Sequence, residues 1–406
     1  MKILFFSQFY TPESIAPAFR ATENAQLWTE SGCDVTVFTG YPNYPSGKIF
    51  DGYNPTLLSE ERINGVRVLR SKLVAKPNTS MVKRLQNALS YFFFGMINVI
   101  FQKKRIAKDY DVVLGTSGVI FNALLAWLYS RMIQVPFVLE IRDITYVQMQ
   151  ATGKRANSIS VKGMKLLELW LCRKAHKIVV VTNGFKRTLI SEGVLENKIE
   201  VITNGVVVKK YEEKCKNRNK LTLSYFGTLG ISQNISDTFE YAKKIANLVP
   251  EFEYLIIGDG AQRGELEKSA KEVSYIKILP GMSASELEPY YMDTQISVVT
   301  LRKVDEFKDT IPSKLFQVMS RGIAVLFIGP EGESAEIIRK HHSGIVLTGT
   351  TKEDMKKLTS FFSSENWNDE LRKMGANGRK AVKEYYSRSK LSKDYIAVLN
   401  EVGKKS

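Results

Sequence analysis

Residues 308–327 read KDTIPSKLFQVMSRGIAVLF. Pro312 suits the first position of a helix and Gly322 suits its stop. The apolar run after the glycine is a buried strand, AVLFIG. A helix, a glycine and a buried strand make half of a βαβ unit, and the same pattern recurs in both directions. Towards the N-terminus the strands are KILFFS, DVTVFTG, GVRVLRS, DVVLGTS, PFVLEIRD and KIVVVTN. Helical patterns lie between them, one ending at Gly32 and one running from Asn122 to Ile133. The pattern restarts after Lys216 with LTLSYFGTLG, EYLIIGDG, ISVVTL, AVLFIG and GIVLTG, and with helices at about 235–248 and 261–273. Buried strands alternating with helices imply parallel sheets. The fold class is therefore α/β, with two doubly wound Rossmann-like domains facing across a cleft. The charged run VKKYEEKCKNRNK, at 208–220, suits an exposed connection between them.

The bulk properties agree with this division. A chain of 406 residues is too long for one ordinary core. Cys33, Cys172 and Cys215 are widely spaced and form neither a metal-ligand pattern nor a disulfide framework, so a reducing cytoplasm is expected. MKILFFSQFYTPE is too short for a signal peptide, and no run reaches the roughly 18 apolar residues of a membrane span. The net charge of +16 favours an anionic partner: nucleic acid, an anionic membrane or a phosphorylated substrate. No nucleic-acid-binding motif accompanies that charge. One segment, 82–108, has a centre rich in aromatics flanked by Lys83–Arg84 and Lys103–Lys104–Arg105. Basic ends attract anionic lipid and aromatics suit the interface, so 82–105 is expected to meet an anionic membrane surface.

The chemistry is expected around the opening stretch. The start of a helix offers free backbone N–H groups and a positive dipole end. Lys314 adds a full charge beside Ile311, Pro312 and Ser313, a combination that suits a diphosphate. Gln317 lies one turn on, within reach of a ribose, and Asp309 lies just before the helix, where an acid accepts sugar hydroxyls. Gly227, Gly230, Gly258 and Gly260 follow strands and let backbone approach a ligand closely. In the first domain, FYTPESIAPAFRATE follows the first strand; backbone near Ser14 and Ala16 can meet a phosphate or acceptor, with Arg20 supplying charge. EIRD ends a strand and projects Glu140, Arg142 and Asp143, the last a sugar anchor or a base. The acids of DYD, 109–111, stand at the amino end of their strand, away from the cleft. His176, His341 and His342 are scattered, so no metal is expected.

At this point the residues resemble a family. The chain is similar to the retaining glycosyltransferases of family 4, with the GT-B fold, and most to the bacterial O-antigen, capsule and colanic-acid branch. GCDVTVFTGYPNYP, PFVLEIRD, VVVTNGFKRTL, VITNGV and DTIPSKLFQVMSRGIAVLF carry the likeness over nearly the whole chain. The resemblance implies domains at 1–205 (acceptor-binding) and 206–387 (nucleotide-sugar-binding), with the last helix, about 388–406, packing back on the first. It implies a sugar-contacting acid at Asp309 and a ribose-binding acid at the position of Gln317, where this chain departs from the family. It places Thr228 and Gln233 where the wider family grips the diphosphate with Arg and Lys, and Asn234 where the branch has glycine. By resemblance Asp143, Asp309 and Lys314 are the catalytic set. The resemblance implies transfer with retention, without metal or other cofactor, from a nucleotide-sugar, most simply a UDP-sugar, N-acetylated ones included. It also implies an acceptor saccharide on undecaprenyl diphosphate, at the cytoplasmic face of the inner membrane.

Two other readings fit the same architecture. A UDP-sugar 2-epimerase shares it, and Gln317 motivates a sugar-nucleotide-binding scaffold subunit without turnover.

Overall fold

The structure is a computed structural model that describes residues 1–78, 80–151, 155–209, 220–230 and 232–403. The charged run at 208–220 lies almost wholly outside the described residues, as does Cys215. The chain forms two compact units, Met1–Thr203 with Arg388–Ser406, and Asn204–Ser387.

The first unit holds β1 (Lys2–Phe6), α1 (Ala16–Glu30), β2 (Asp34–Gly40), β3 (Leu58–Ile63), β4 (Val66–Ser71), α2 (Met81–Phe101) and α3 (Lys103–Ile106). It continues with β5 (Val112–Thr116), α4 (Ile120–Ile133), β6 (Phe137–Ile141), α5 (Thr145–Ala151), α6 (Ile159–Lys174), β7 (Lys177–Val180), α7 (Asn183–Ser191) and β8 (Ile199–Val201). The second unit holds β9 (Leu221–Phe226), α8 (Thr238–Ala246), β10 (Phe252–Ile257), α9 (Arg263–Ala270), β11 (Ile276–Leu279) and α10 (Ala284–Asp293). It continues with β12 (Ile296–Thr300), α11 (Ser313–Ser320), β13 (Ala324–Ile328), α12 (Glu333–Lys340), β14 (Gly344–Leu347), α13 (Thr351–Phe362) and α14 (Trp367–Ala381). The chain then returns to the first unit as α15 (Arg388–Gly403). There Tyr395 packs on Trp28, ring centroids 5.1 Å apart, and Arg388 pairs with Glu23 at 2.8 Å.

The first sheet runs β3-β4-β2-β1-β5-β6-β7-β8, the second β11-β10-β9-β12-β13-β14. All pairs are parallel except β3–β4, a hairpin whose Asn64–Gly65 turn takes φ of 49° and 82°. The expectation of purely parallel sheets is corrected there. Glu60, Glu61 and Arg62 stand in a row in this edge strand, which alternates only in burial because one side faces water, so the run does not read as buried β. Strand order reverses beside β1 in one sheet and beside β9 in the other, and open α/β sheets bind ligands at such points, beyond the strands' carboxyl ends. In the first unit Asn122 Nδ2 donates to the carbonyls of Phe6 (2.8 Å) and Thr116 (3.1 Å), fixing both strand ends at that point.

Three helix boundaries differ from the sequence reading. α11 begins at Ser313, with Pro312 as an extended cap (ψ 132°). A short 3₁₀ turn, Ile235–Asp237, precedes α8, because Asn234 takes a left-handed conformation (φ 47°) that breaks helical continuity. The basic cluster at 103–105 forms the separate α3. Within α2, Tyr91 is fully buried and bonded to Asn122 (3.1 Å), Phe92 packs on Phe121, and Phe94 lies beneath Lys72. Tyr91 and Phe92 therefore serve the protein interior, whereas Phe93 and Phe101 are exposed.

Candidate active site

In the second unit β9 runs into a turn that must come very close to its neighbour. Gly227 has φ 131°, a conformation L side chains avoid, and its N–H donates to the Ile257 carbonyl at 3.0 Å. A β-carbon on Gly258 would lie 1.8 Å from the Gly227 carbonyl oxygen, so only glycine allows the loops after β9 and β10 to interlock. Leu229 N–H donates to the Asp259 carbonyl (2.9 Å), Gln262 N–H returns to Leu229 (3.0 Å), and Gly260 passes against the same backbone. Gly230 accepts from the Gln233 N–H (3.1 Å), whose side-chain oxygen crowds the Gly230 α-carbon. Thr228 is exposed at the tip of the turn and Gln233 is half-buried.

Lys314 comes to this turn from the first turn of α11. Its Nζ donates to Tyr225 Oη at 2.5 Å and stands 4.1 Å from that ring's centroid. Tyr225 in turn donates to the Thr228 carbonyl at 2.6 Å. A β-carbon on Gly227 would sit 3.2 Å from the ammonium, so the glycine leaves the charge open towards the turn. Burial pushes the Lys314 ammonium down to about 7, and no acidic neighbour offsets that effect. Burial also raises Tyr225 above its usual range, which keeps the hydroxyl protonated and donating. Tyr225 was missed at sequence level; a tyrosine inside a buried strand reads as core until its hydroxyl is seen to bridge the lysine and the turn.

The remaining donor-side positions share one loop and one helix. Ile311 is buried in the core, so only its backbone is open to a ligand. Ser313 and Gln317 are exposed, while Leu315, Phe316, Val318 and Met319 face inward. Gln317 and Lys314, three residues apart, lie on neighbouring turns of one face. Asp309 is half-buried in a loop tied to the start of α12: Glu333 N–H donates to the Lys308 carbonyl (2.9 Å) and Ser334 Oγ to that of Thr310 (2.9 Å). A β-carbon on Gly332 would lie 2.1 Å from the Lys308 oxygen.

In the first unit, α1 starts with no side-chain cap on its first turn, with Ser14 and Ala16 exposed. Glu13, also missed at sequence level, fixes the preceding loop by accepting from Asn43 N–H (3.0 Å) and Tyr44 N–H (2.9 Å). Arg20 does not face outward as expected. It is buried and bonded to Glu140 through Nε (3.0 Å) and Nη2 (2.8 Å), because two interior charges are tolerated only as a pair. Burial pushes the Glu140 carboxyl up, but Arg20 and Arg142 pull it below its usual value overall. Arg142 is less committed: its Nη1 reaches the Pro17 carbonyl at 3.4 Å, and burial, then Arg20, lower it to about 10. Asp143 is open to solvent, yet crowding by protein pushes its carboxyl up to about 6 against the pull of Arg142. Among the described residues no group of three His, Cys, Asp or Glu is placed to hold a metal ion.

Residues 16–205 match the glycosyl transferase 4-like domain and residues 207–381 the glycosyl transferases group 1 domain. Two Rossmann-like units carrying that pair of domains place the chain among the GT-B glycosyltransferases of the family-4 type. Over 180 residues it is 23% identical to a 2-deoxystreptamine N-acetyl-D-glucosaminyltransferase of Niallia circulans, covering 40% of this chain. The match spans 45% of that enzyme, under half its length. The sucrose-phosphate synthase of Thermosynechococcus elongatus shares the fold with a TM-score of 0.74 at 12% identity, covering 100% of this chain and 99% of that one. HepE of Anabaena, solved with UDP and glucose, gives 0.67 at 12% identity over 98% and 99%. The catalytic domain of starch synthase IV of Arabidopsis thaliana, bound to ADP and acarbose, gives 0.69 at 9% identity over 99% of each chain. At such identities the likeness concerns the fold.

Proposed function

We propose that the protein transfers a sugar, with retention and without a metal, from a nucleoside-diphosphate sugar to a saccharide carried on undecaprenyl diphosphate, in the building of a bacterial surface polysaccharide. The donor of this reading is a UDP-sugar. The observation that carries it is the Lys314 ammonium, held by Tyr225 beneath the Gly227 turn with its charge uncompensated by an acid. A buried cation of that kind costs free energy until an anion reaches it. A diphosphate at the start of α11 takes the free N–H groups of the first turn and the lysine together. As the glycosidic bond breaks, charge gathers on that diphosphate, and Lys314 stabilises the leaving group. Asp309 accepts hydroxyls of the transferred sugar, and Gln317 accepts a ribose hydroxyl with a neutral oxygen. In the first unit Asp143, with its raised carboxyl, and Arg142 serve the acceptor side.

Thermal stabilisation by UDP, GDP, UDP-GlcNAc and GDP-mannose tests the donor, because a ligand bound only by the folded chain raises Tm. A shift with UDP and its sugars that disappears in Lys314→Met supports the site. Shifts of equal size in that variant would remove Lys314 from it. Sugar transfer to a lipid extract, with retained anomeric configuration, tests the reaction, and epimer formed without acceptor would favour the 2-epimerase instead. UDP binding without turnover would favour the scaffold subunit, the reading that Gln317 motivates.

A further inference from the structure

We infer that Glu168 is a positioning residue for the reaction: through the start of α5 it holds Arg142 and Asp143 where the acceptor needs them. This rests on the acceptor-side role given to Asp143 above, and adds to it a group that touches no substrate.

Asp143 stands two residues after β6 and two before α5. α5 has seven residues, too few to hold its shape alone, so its first turn needs an outside anchor. Ile144, the residue before it, accepts a bond from Gln148 N–H through its carbonyl (3.0 Å) but has no side chain that can cap a helix. The cap comes instead from Glu168, 23 residues further along the chain, on α6. Its two oxygens accept from Thr145 N–H at 3.2 and 3.0 Å, and one of them also from Thr145 Oγ1 at 3.1 Å. Tyr146 N–H donates to the same carboxylate. Ile144 and Tyr146 are buried on either side of Thr145, so the joint is enclosed. Within the same turn, the Gln148 side chain donates to the Asp143 carboxylate. Glu168 therefore holds the first turn of α5, and that turn holds Asp143.

Glu168 is out of keeping with its helix. It is the single acid of α6 and is fully buried, while Lys162, Arg173 and Lys174 stand exposed. Burying a carboxylate costs free energy unless bonds offset it, and here donors of α5 do so. A charged acceptor makes the stronger cap. The anchor is itself fixed: two residues on, Trp170 packs edge to face on Trp127 of α4, ring centroids 4.6 Å apart.

The charged and titratable groups around Glu168 are Asp143 on the loop, Tyr146 on α5, Cys172 one turn along α6, and Lys165 of α6, which pairs with Glu192 just after α7 at 2.6 Å. Burial pushes the Glu168 carboxyl up to about 7, against the pull of its α5 donors, and pushes Asp143 up to about 6. Burial raises the Cys172 thiol and the Tyr146 hydroxyl, so both keep their protons at neutral pH. A protonated Glu168 accepts less strongly, so the joint loosens as pH falls through about 7.

The test measures transfer by the full chain from a panel of UDP- and GDP-sugars to a lipid extract, across the neutral pH range. In the wild type kcat/KM for the acceptor is expected to fall as pH drops through about 7. Glu168→Gln keeps the shape and one acceptor oxygen but does not titrate. At alkaline pH its kcat is expected to be about tenfold lower, since a reacting group held loosely is misplaced. Its acid limb is expected to move down to about 6 or below, the range of Asp143 relieved of a like charge. Thr145→Val removes a hydrogen bond that lowers the Glu168 carboxyl, so its limb is expected to move the other way, to higher pH. KM for the donor and the UDP-induced Tm shift should keep wild-type values in both variants, because neither residue lies in the second unit. A cap that served folding alone would lower Tm without sending the two limbs in opposite directions. If Glu168→Gln does not fold, the direction of the Thr145→Val shift decides. A Glu168→Gln profile that superposes on the wild type, or a Thr145→Val limb that stays or moves down, overturns the inference alone. A wild type that transfers no sugar overturns the acceptor reading, and this inference with it.

Discussion

The Lys314 ammonium lies 2.5 Å from the phenolic oxygen of Tyr225, 89 residues earlier in the chain. The tyrosine hydroxyl in turn donates a hydrogen bond to the Thr228 carbonyl, so a strand end, a glycine turn and a helix start are joined through one hydroxyl. The lysine is thereby held in place before any ligand arrives, and the cost of ordering it belongs to folding rather than to binding.

Replacing Lys314 with Met removes a buried charge and keeps the volume. The chain is expected to lose about 1.5–3 kcal/mol of UDP binding, the range for a hydrogen bond to a charged group. It should fold with equal or higher Tm, since an uncompensated interior charge is gone. Calorimetry with UDP and a melting curve check the two halves; a variant that unfolds readily would mean the lysine holds the loops together.

Tyr225→Phe keeps the ring beneath the ammonium but removes the acceptor. Lys314 then loses its hydrogen bond and its apparent pKa falls further below about 7. Donor affinity is expected to drop about five- to tenfold at neutral pH. The pH at which affinity begins to fall should also move lower. An unshifted pH profile would assign Tyr225 a packing role only.

The free protein's lysine, lowered to about 7, gives binding a definite pH sign. An anion favours the protonated form, so above pH 7 the complex takes up a proton that the free chain lacks. UDP affinity is expected to fall above that pH by up to about tenfold per unit. Without ligand the sign is opposite: the unfolded chain holds this proton up to its ordinary pKa of 10.5, so the lysine's contribution makes stability rise with pH from about 7 to that value. Calorimetry near pH 8 in buffers of different ionisation heat reads the uptake directly, and identical heats would contradict it.

Gln317→Glu restores an acid on the α11 face next to Lys314. Hydrogen bonds to a charged acceptor are about twice as strong as neutral ones, so UDP-sugar binding is expected to tighten several-fold. The comparison of UDP with UDP lacking its ribose hydroxyls tells whether the gain comes from the ribose.

Glu140→Gln leaves Arg20 charged and buried, and is expected to cost about 3–5 kcal/mol in urea unfolding. Arg20→Met combined with Glu140→Leu removes both charges and should recover most of that loss. Because the Glu140 carboxyl is held low overall, its stabilising part is present above the ordinary carboxylate range and is lost as pH falls through the lowered value.

The sequence by itself determined the two α/β units and much of the donor side. Apolar runs of strand length, alternating with helices, have few ways to bury themselves other than a doubly wound sheet. Pro312, Lys314 and Gly322 mark a helix start with a cation, and the glycines after strands mark where backbone must come close, because both properties are local to the chain. What only the tertiary structure decided depends on distant partners. Arg20 looked like a free cation until Glu140, 120 residues away, was seen to neutralise it inside the protein. Tyr225 looked like core until Lys314 reached its hydroxyl. The aromatics of α2 looked alike until Tyr91 and Phe92 were found turned towards the interior, with Phe93 and Phe101 left exposed. In each case burial and charge compensation are set by long-range packing, which a linear pattern records for one side of the contact at a time.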